Sequence, residues 1–419
     1  MSALVLIGCV ALFFVIGMPI AFAIGLASLC AIYVVPGLTP IVVPQKLFTS
    51  NDSFALMAIP FFILAGSLMM RGGLSSRLVA LAEALVGKFP GGLALVGVLG
   101  SLFFGAISGS PVATVAAVGG LIIPAMISKG YAPGFAGAVH AAAGPLGAMI
   151  PPSVILIIYG VIAQQNISTL FLATVVPGVL MGIALMLVGG FIAWRRGYSG
   201  SSEHLPLGQL CVKSFWALLM PVIILGGIYG GVFTPTEAAV VAVAYALIVG
   251  LFIYRELTLP TILETLVESA IATAIVMIIM DFAGLFGWML TTNRIPVLFA
   301  QFILSLSDNP VYILIGINLI MLVSGMFMDP ASAIVILTPV FQPLAAQLQL
   351  DPIHFGIVTC TNLLIGNVTP PVGITMFVAS RIAQCKVDYV IGEIWPFLGA
   401  MLLVLLLVNV FPIISLCLL

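Results

Sequence analysis

Gly366-Asn-Val-Thr-Pro-Pro-Val-Gly373 (GNVTPPVG) interrupts a long apolar run. Two adjacent prolines remove two backbone donors and forbid a continuous helix there. The flanking glycines add backbone freedom. Shifted back by 219 residues, the same positions read Gly147-Ala-Met-Ile-Pro-Pro-Ser153, with both prolines in register. Pro111, Pro124, Pro133 and Pro177 pair with Pro330, Pro343, Pro352 and Pro396 at that same offset. Windows 97–180 and 316–399 hold seven prolines each, and six of them pair. Random placement would pair roughly 0.6, so a fixed-period repeat is present. Gly137 and Gly147 match Gly356 and Gly366, Ala65-Gly66 matches Ala283-Gly284 at offset 218, and Pro19 matches Pro235 at 216. Small insertions account for the drift, and the chain reads as an internal duplication.

Of 419 residues, 63% are hydrophobic and 6% are charged. Soluble domains carry about 25% charged residues, so this composition specifies an integral membrane protein with many spans. A net charge of -1 excludes nucleic acid as a natural partner. The six cysteines are scattered, without metal-site or disulfide-framework spacing. His140, His204 and His354 are isolated and read as packed or loop residues. No resident cofactor is expected. The first apolar run, from Ala3, has no Lys or Arg before it, as a signal peptide would require, and is read as a retained span.

The one long polar connection, 195–213, divides the chain nearly in half. The expected fold is an all-α polytopic membrane protein with two repeats, 1–194 and 214–419. Scaffold spans fall at 1–90 and 214–290, and hairpin-plus-broken-helix segments at 93–165 and 297–384. Each repeat is expected to hold five spans and one re-entrant helical hairpin, near 93–127 and 311–345. With the N-terminus outside, Arg71, Arg77, Lys88, Lys129, Arg195, Arg196, Lys213, Arg255, Arg381 and Lys386 fall on the cytoplasmic side, against Lys46 and Arg294 outside. That satisfies the positive-inside rule. Five is odd, so the second repeat is inverted, as in many secondary transporters.

Four helix starts are expected at mid-membrane. In Ile107-Ser-Gly-Ser-Pro111, Ser110 is the cap and Pro111 the first helical residue; in Met326-Phe-Met-Asp-Pro330, Asp329 is the cap. The proline pairs supply the other two, with Thr369 expected to cap the half-helix that Pro370 begins. A cap satisfies donors that lipid cannot. Helix N-termini attract an anion such as a carboxylate, and carbonyls freed before each break, with Ser and Thr oxygens, suit a small cation. Asp329 fits both a functional acid and a plain tip cap. Thr234-Pro-Thr-Glu237 reads as a capping box. Arg381 either snorkels to the cytoplasmic face or pairs with substrate. Arg255, Glu256, Glu264 and Glu268 border an apolar pattern expected to form an interfacial amphipathic helix, with Leu74 to Val86 as its counterpart. An intramembrane enzyme would need a metal cluster or a nucleophile–base pair, and Ser110 has no histidine near it in sequence.

Ile59-Pro-Phe-Phe-Ile-Leu-Ala-Gly66, Ile107-Ser-Gly-Ser-Pro111, Phe233-Thr-Pro-Thr-Glu-Ala-Ala239, Gly325-Met-Phe-Met-Asp-Pro330 and Gly366-Asn-Val-Thr-Pro-Pro371 resemble the signatures of the large membrane subunit of tripartite ATP-independent periplasmic (TRAP) transporters. The resemblance covers nearly the whole chain. It implies the ion-transporter superfamily fold and an elevator mechanism, in which a transport domain slides along a fixed scaffold. It also implies a bacterial inner-membrane location with both termini periplasmic, coupling to two sodium ions, a separate small four-span membrane subunit, and a periplasmic binding protein that delivers an organic acid. A stand-alone sodium–carboxylate symporter of the same superfamily is the alternative. By likeness and repeat symmetry, one sodium lies between the first tip (Ser108, Ser110) and the break at Gly144, Gly147 and Ile150. The second lies between Gly325, Met328 and Asp329 and the break at Gly366 and Thr369. Substrate carboxylate lies between the tips, with Ser110, Pro111, Asp329, Pro330, Thr369 and Arg381 as its candidate contacts.

Overall fold

The computed structural model describes residues 2–34, 39–200, 207–306 and 309–419. His204 and the middle of the 195–213 connection lie outside the described residues. The first half holds α1 (Ser2–Val15), α2 (Ile20–Val34), α3 (Val42–Ser50), α4 (Ala58–Arg71), α5 (Leu74–Val86), α6 (Gly92–Ser108), α7 (Pro111–Ser128), α8 (Pro133–Met149), α9 (Val154–Ile162) and α10 (Ile167–Arg195). The second holds α11 (Leu207–Tyr229), α12 (Pro235–Ile253), α13 (Leu259–Thr292), α14 (Ile295–Leu306), α15 (Pro310–Phe327), α16 (Pro330–Gln347), α17 (Pro352–Gly366), α18 (Ile374–Ile382) and α19 (Val387–Val410). Among the described residues, nine helices are long and apolar enough to cross a bilayer, or ten if the bent pair α8 and α9 counts as one span. Apolar side chains such as Leu187 and Phe252 face outward, which in this setting is toward lipid.

Polar caps followed by proline start many of these helices. Thr234 accepts from the Glu237 amide while the Glu237 carboxylate accepts from the Thr234 amide, so the expected capping box is formed. Asn309 and Asp351 cap α15 and α17 with their side-chain oxygens, without a reciprocal box, each with proline at the first helical position. Proline loses nothing there, because its missing N–H would have had no partner.

The elements match in order at the sequence offset, except that α3 and α4 together correspond to the single helix α13. α6 and α7 form a hairpin, as do α15 and α16. Two expectations need correction. The segment around Leu259 to Leu266 is not a separate interfacial helix: α13 runs 34 residues without interruption. At about 1.5 Å per residue it is much longer than the hydrocarbon core, so its first turns extend past the span. Its start matches α3 at offset 218, and the counterpart of α5 is α14, not the 255–268 stretch.

The halves interlock. α2 and α4 of the first half pack on α13 and α12 of the second, while α8 and α10 pack on α19, and α9 on α16. Phe104, Phe135, Tyr159, Phe341 and Phe397 are fully buried in the resulting core. At one end Arg71 reaches Glu264 (2.9 Å) and Glu268 (2.6 Å), and Arg77 reaches Glu256 (2.7 Å), binding α4 and α5 to the start of α13 and the turn before it. Arg196, beyond the end of α10, donates to both carboxylate oxygens of Glu393 (3.0 and 2.7 Å), which holds its guanidinium above its ordinary range.

Candidate functional site

The first hairpin turns at Gly109, whose φ of +61° suits glycine. Ser110 then caps α7, its Oγ accepting from the Ala113 amide at 3.4 Å, and Pro111 is the first helical residue. Thr114 Oγ1 donates to the Ser110 carbonyl (2.9 Å), so the Ser108 hydroxyl donates to Thr114 Oγ1 (3.0 Å). Three oxygens from Ser108, Ser110 and Thr114 thus gather at the tip. Thr114 was not among the residues picked from sequence. Its signal was a hydroxyl one helical turn after the cap, on the same face.

The break between α8 and α9 lies against this tip. A Cβ on Gly147 would overlap Thr114 Oγ1 and stand 2.9 Å from the Ser110 carbonyl oxygen. A Cβ on Gly144 would stand 3.2 Å from the Pro111 carbonyl oxygen and 3.2 Å from Thr375 Cγ2. Only glycine permits this approach, so Gly144 and Gly147 bring the first tip and both breaks together. Ile150 ends α8 in an extended conformation, and its side chain lies against Gly178 of α10.

In the second half Gly325 and Gly366 do the same work: a Cβ on Gly325 would lie 2.8 Å from the Leu363 carbonyl oxygen. Met328 is extended and ends α15. Asp329 caps α16, Oδ2 accepting from the Ala331 amide at 3.0 Å, and buried Pro330 follows.

Thr369 does not cap a new helix. Its Oγ1 donates to the Ile365 carbonyl (2.8 Å) and its amide to that of Gly366 (2.9 Å), so it closes the end of α17. The α region is disfavoured for a residue before proline, and both Thr369 and Pro370 precede one. The helix therefore restarts only at Ile374, entered through Gly373 at φ +50° without a side-chain cap. In the first half, too, the restart follows the prolines, where Ser153 accepts from the Leu156 amide (3.4 Å). Asn367, also not picked out, has a buried Oδ1 with no hydrogen-bond partner, and its carbonyl accepts from Thr375 Oγ1 at 3.3 Å.

The two hairpin tips meet at one cavity of about 360 Å³. Ser108, Ser110 and Pro111 line it from one tip and Asp329 from the other, with Gly66 and Met70 of α4 opposite. A Cβ on Gly66 would stand 3.2 Å from Ser108 Cα, so α4 sits directly on the first tip. Two helix N-termini, at Ser110 and Asp329, therefore border one space, an arrangement that favours an anion. The breaks behind the tips offer carbonyl, hydroxyl and amide oxygens, which suit a hard cation. Pro330, Thr369 and Arg381 are not among the cavity's lining residues; Arg381 lies exposed in the last turn of α18.

The model of the family described as "Tripartite ATP-independent periplasmic transporter, DctM component" matches residues 7–414. The chain is 46% identical over 411 residues to the isethionate TRAP transporter permease protein DctMQ of Oleidesulfovibrio alaskensis, covering 97% of this chain but 65% of that one. It is 40% identical to the C4-dicarboxylate TRAP transporter large permease protein DctM of Pseudomonas aeruginosa, over 89% of this chain and 88% of that one. It is 39% identical to the 2,3-diketo-L-gulonate TRAP transporter large permease protein YiaN of Escherichia coli, over 98% and 97%. The fold resembles the YdaH transporter of Alcanivorax borkumensis (TM-score 0.64, 17% identity, 88% of each chain). It also resembles MtrF of Neisseria gonorrhoeae (TM-score 0.63, 16% identity, 88% and 83%). These relatives are transporter permeases, not enzymes, and the chain belongs to the DctM family of tripartite ATP-independent periplasmic transporter components.

Proposed function

We propose that this chain carries a small organic acid across the bacterial inner membrane by sodium symport, in an elevator motion of the hairpins and broken helices against the scaffold. The convergence of the Ser110 and Asp329 tips on one cavity carries this reading. Two positive helix ends seat the carboxylate. One sodium is held among Ser108, Ser110 and the break at Gly144, Gly147 and Ile150, with Thr114 added. The second is held among Gly325, Met328, Asp329, Gly366 and Thr369, with the orphan oxygen of Asn367 added. The partners are a small four-span subunit and a periplasmic binding protein, in keeping with the word tripartite in the family's description. Both termini lie on the periplasmic side. The relatives' names carry isethionate, C4-dicarboxylates and 2,3-diketo-L-gulonate, all organic anions.

The energetics suit accumulation. Two sodium ions moving down a tenfold gradient yield about 2.7 kcal/mol. With a monoanion one net positive charge enters, and 100 mV adds about 2.3 kcal/mol. Their total, about 5 kcal/mol, supports a several-thousand-fold gradient. The test is uptake of a radiolabelled acid into proteoliposomes holding both membrane subunits, with the binding protein outside. Uptake is expected to need an inward sodium gradient and the binding protein. Uptake indifferent to sodium overturns the reading; sodium-driven uptake without the binding protein replaces it with a stand-alone symporter.

A further inference from the structure

The lining of the tip cavity has a counterpart one repeat later. Gly66 and Met70 of α4 and Ala116 of α7 line the cavity. Their repeat mates are Gly284 and Trp288 of α13, at offset 218, and Val335 of α16, at offset 219. All three mates line a second cleft of about 250 Å³. The two openings lie at different levels of one helix. α13 gives Ala272 and Val276 to the first and its Met280-to-Trp288 face to the second. From Ala272 to Gly284 the helix rises about 18 Å.

The first cavity continues away from the tips. It shares Met70 and Ala116 with an opening of about 320 Å³ that reaches Ser76, Gly120 and Glu256. Gly120 in turn has the mate Pro339, which lines the second cleft. A route from the tips to one end of the molecule thus has a repeat-related copy toward the other end, while Ser110 and Asp329 line only the first. The copy also has a cation beside it: Lys46 Nζ stands 5.8 Å from the Trp288 ring centroid. Asp281, nearby on α13, neighbours Asn51 just past the end of α3 and is not among the cleft's lining residues.

We infer that the second cleft is the other mouth of the translocation path, where the organic anion arrives, past Lys46, before the tips are carried to it. This rests on the transport reading above. One duplicated set of residues builds both mouths, and the tips are served by each in turn.

Gly287 allows a clean test, because a Cβ there meets nothing nearer than Pro339 Cγ at 4.0 Å. Gly287→Cys and Ala116→Cys are made in the full chain with its small subunit. A membrane-impermeant maleimide is applied to spheroplasts and to inside-out vesicles, with parent labelling subtracted. Labelling of the two positions from opposite sides is expected, with at least about a tenfold loss of uptake once position 287 is fully modified. Gly287→Leu, with unchanged thermal stability, is expected to lose uptake similarly. Labelling of both from one side, or full uptake after complete modification, overturns the inference. Sidedness needs no transport, so an unmodified protein that takes up no acid counts against the transport reading alone.

Discussion

Gly325 and Gly366 meet backbone to backbone: a Cβ on Gly366 would stand 2.6 Å from Gly325 Cα. Gly105 and Gly147 make the equivalent contact in the first half, at 3.0 Å. Each pair holds a hairpin against the break whose oxygens would complete a proposed sodium site. Gly366→Ala forces the hairpin and the break apart. It is expected to raise the sodium concentration for half-maximal uptake by about tenfold, about 1.4 kcal/mol, and to lower the melting temperature. Gly316→Ala, in the same hairpin with nothing within 4 Å of a new Cβ, is expected to be neutral or to stabilise by up to about 1 kcal/mol. Equal behaviour of the two variants in a sodium titration refutes the claim.

Thr114 tests the first oxygen cluster. Thr114→Val keeps the shape and removes both the acceptor for Ser108 and the donor to the Ser110 carbonyl. Sodium dependence of uptake is expected to weaken by about tenfold, and Thr114→Ser is expected to restore it. A merely structural role for Thr114 predicts lower thermal stability with the sodium titration unmoved.

The repeat and its breaks were legible because proline and glycine act locally, whatever the surroundings. The caps at Ser110, Asp329 and Thr234 followed from the same local chemistry. Thr369 was misplaced because the rule that a hydroxyl precedes a first-turn proline assumes one proline, and here a second follows. Thr114 and Asn367 were missed because a hydroxyl inside a helix and an amide beside a break are ordinary until folding lays Ser108 and Thr375 on them. The charged border at 255–268 looked like a separate helix. Yet no glycine or proline lies between Thr261 and Ala283, so nothing stops α13 there.

An amide cluster distinguishes the second hairpin. Asn318 of α15 donates to Asn409 Oδ1 (3.0 Å), and Asn362 of α17 donates to Asn318 Oδ1 (2.7 Å). Their mates at offset 219 are Leu99, Ala143 and Gly190, which cannot form such a cluster. Asn318→Leu takes the donor from Asn409 Oδ1 and one of two acceptors from buried Asn362, and is expected to cost about 1–3 kcal/mol, whereas removing all partners together costs less. Thermal unfolding should therefore rank the triple variant Asn318→Leu, Asn362→Ala, Asn409→Ala above the single one. The reverse order shows that packing, not amide satisfaction, decides the effect.

Asp329 and Arg381 are the two charges earlier assigned to substrate, and the structure separates them. Asp329 lines the cavity while Arg381 stands exposed at the end of α18. Asp329→Asn keeps a competent cap, since asparagine serves as well as aspartate at that position, but removes the negative charge at the tip. The hairpin should hold its shape and sodium should lose a ligand, so half-saturation by sodium is expected to rise by about tenfold or more. Arg381→Gln keeps length and polarity but removes the charge. If the guanidinium only reaches for the membrane surface, KM for the acid stays within about twofold, an effect below about 0.5 kcal/mol. A tenfold rise in KM with unchanged kcat would return Arg381 to the substrate site and require the transport domain to carry it there in another state. Titrating acid and sodium separately, on the two variants in proteoliposomes, tells these outcomes apart.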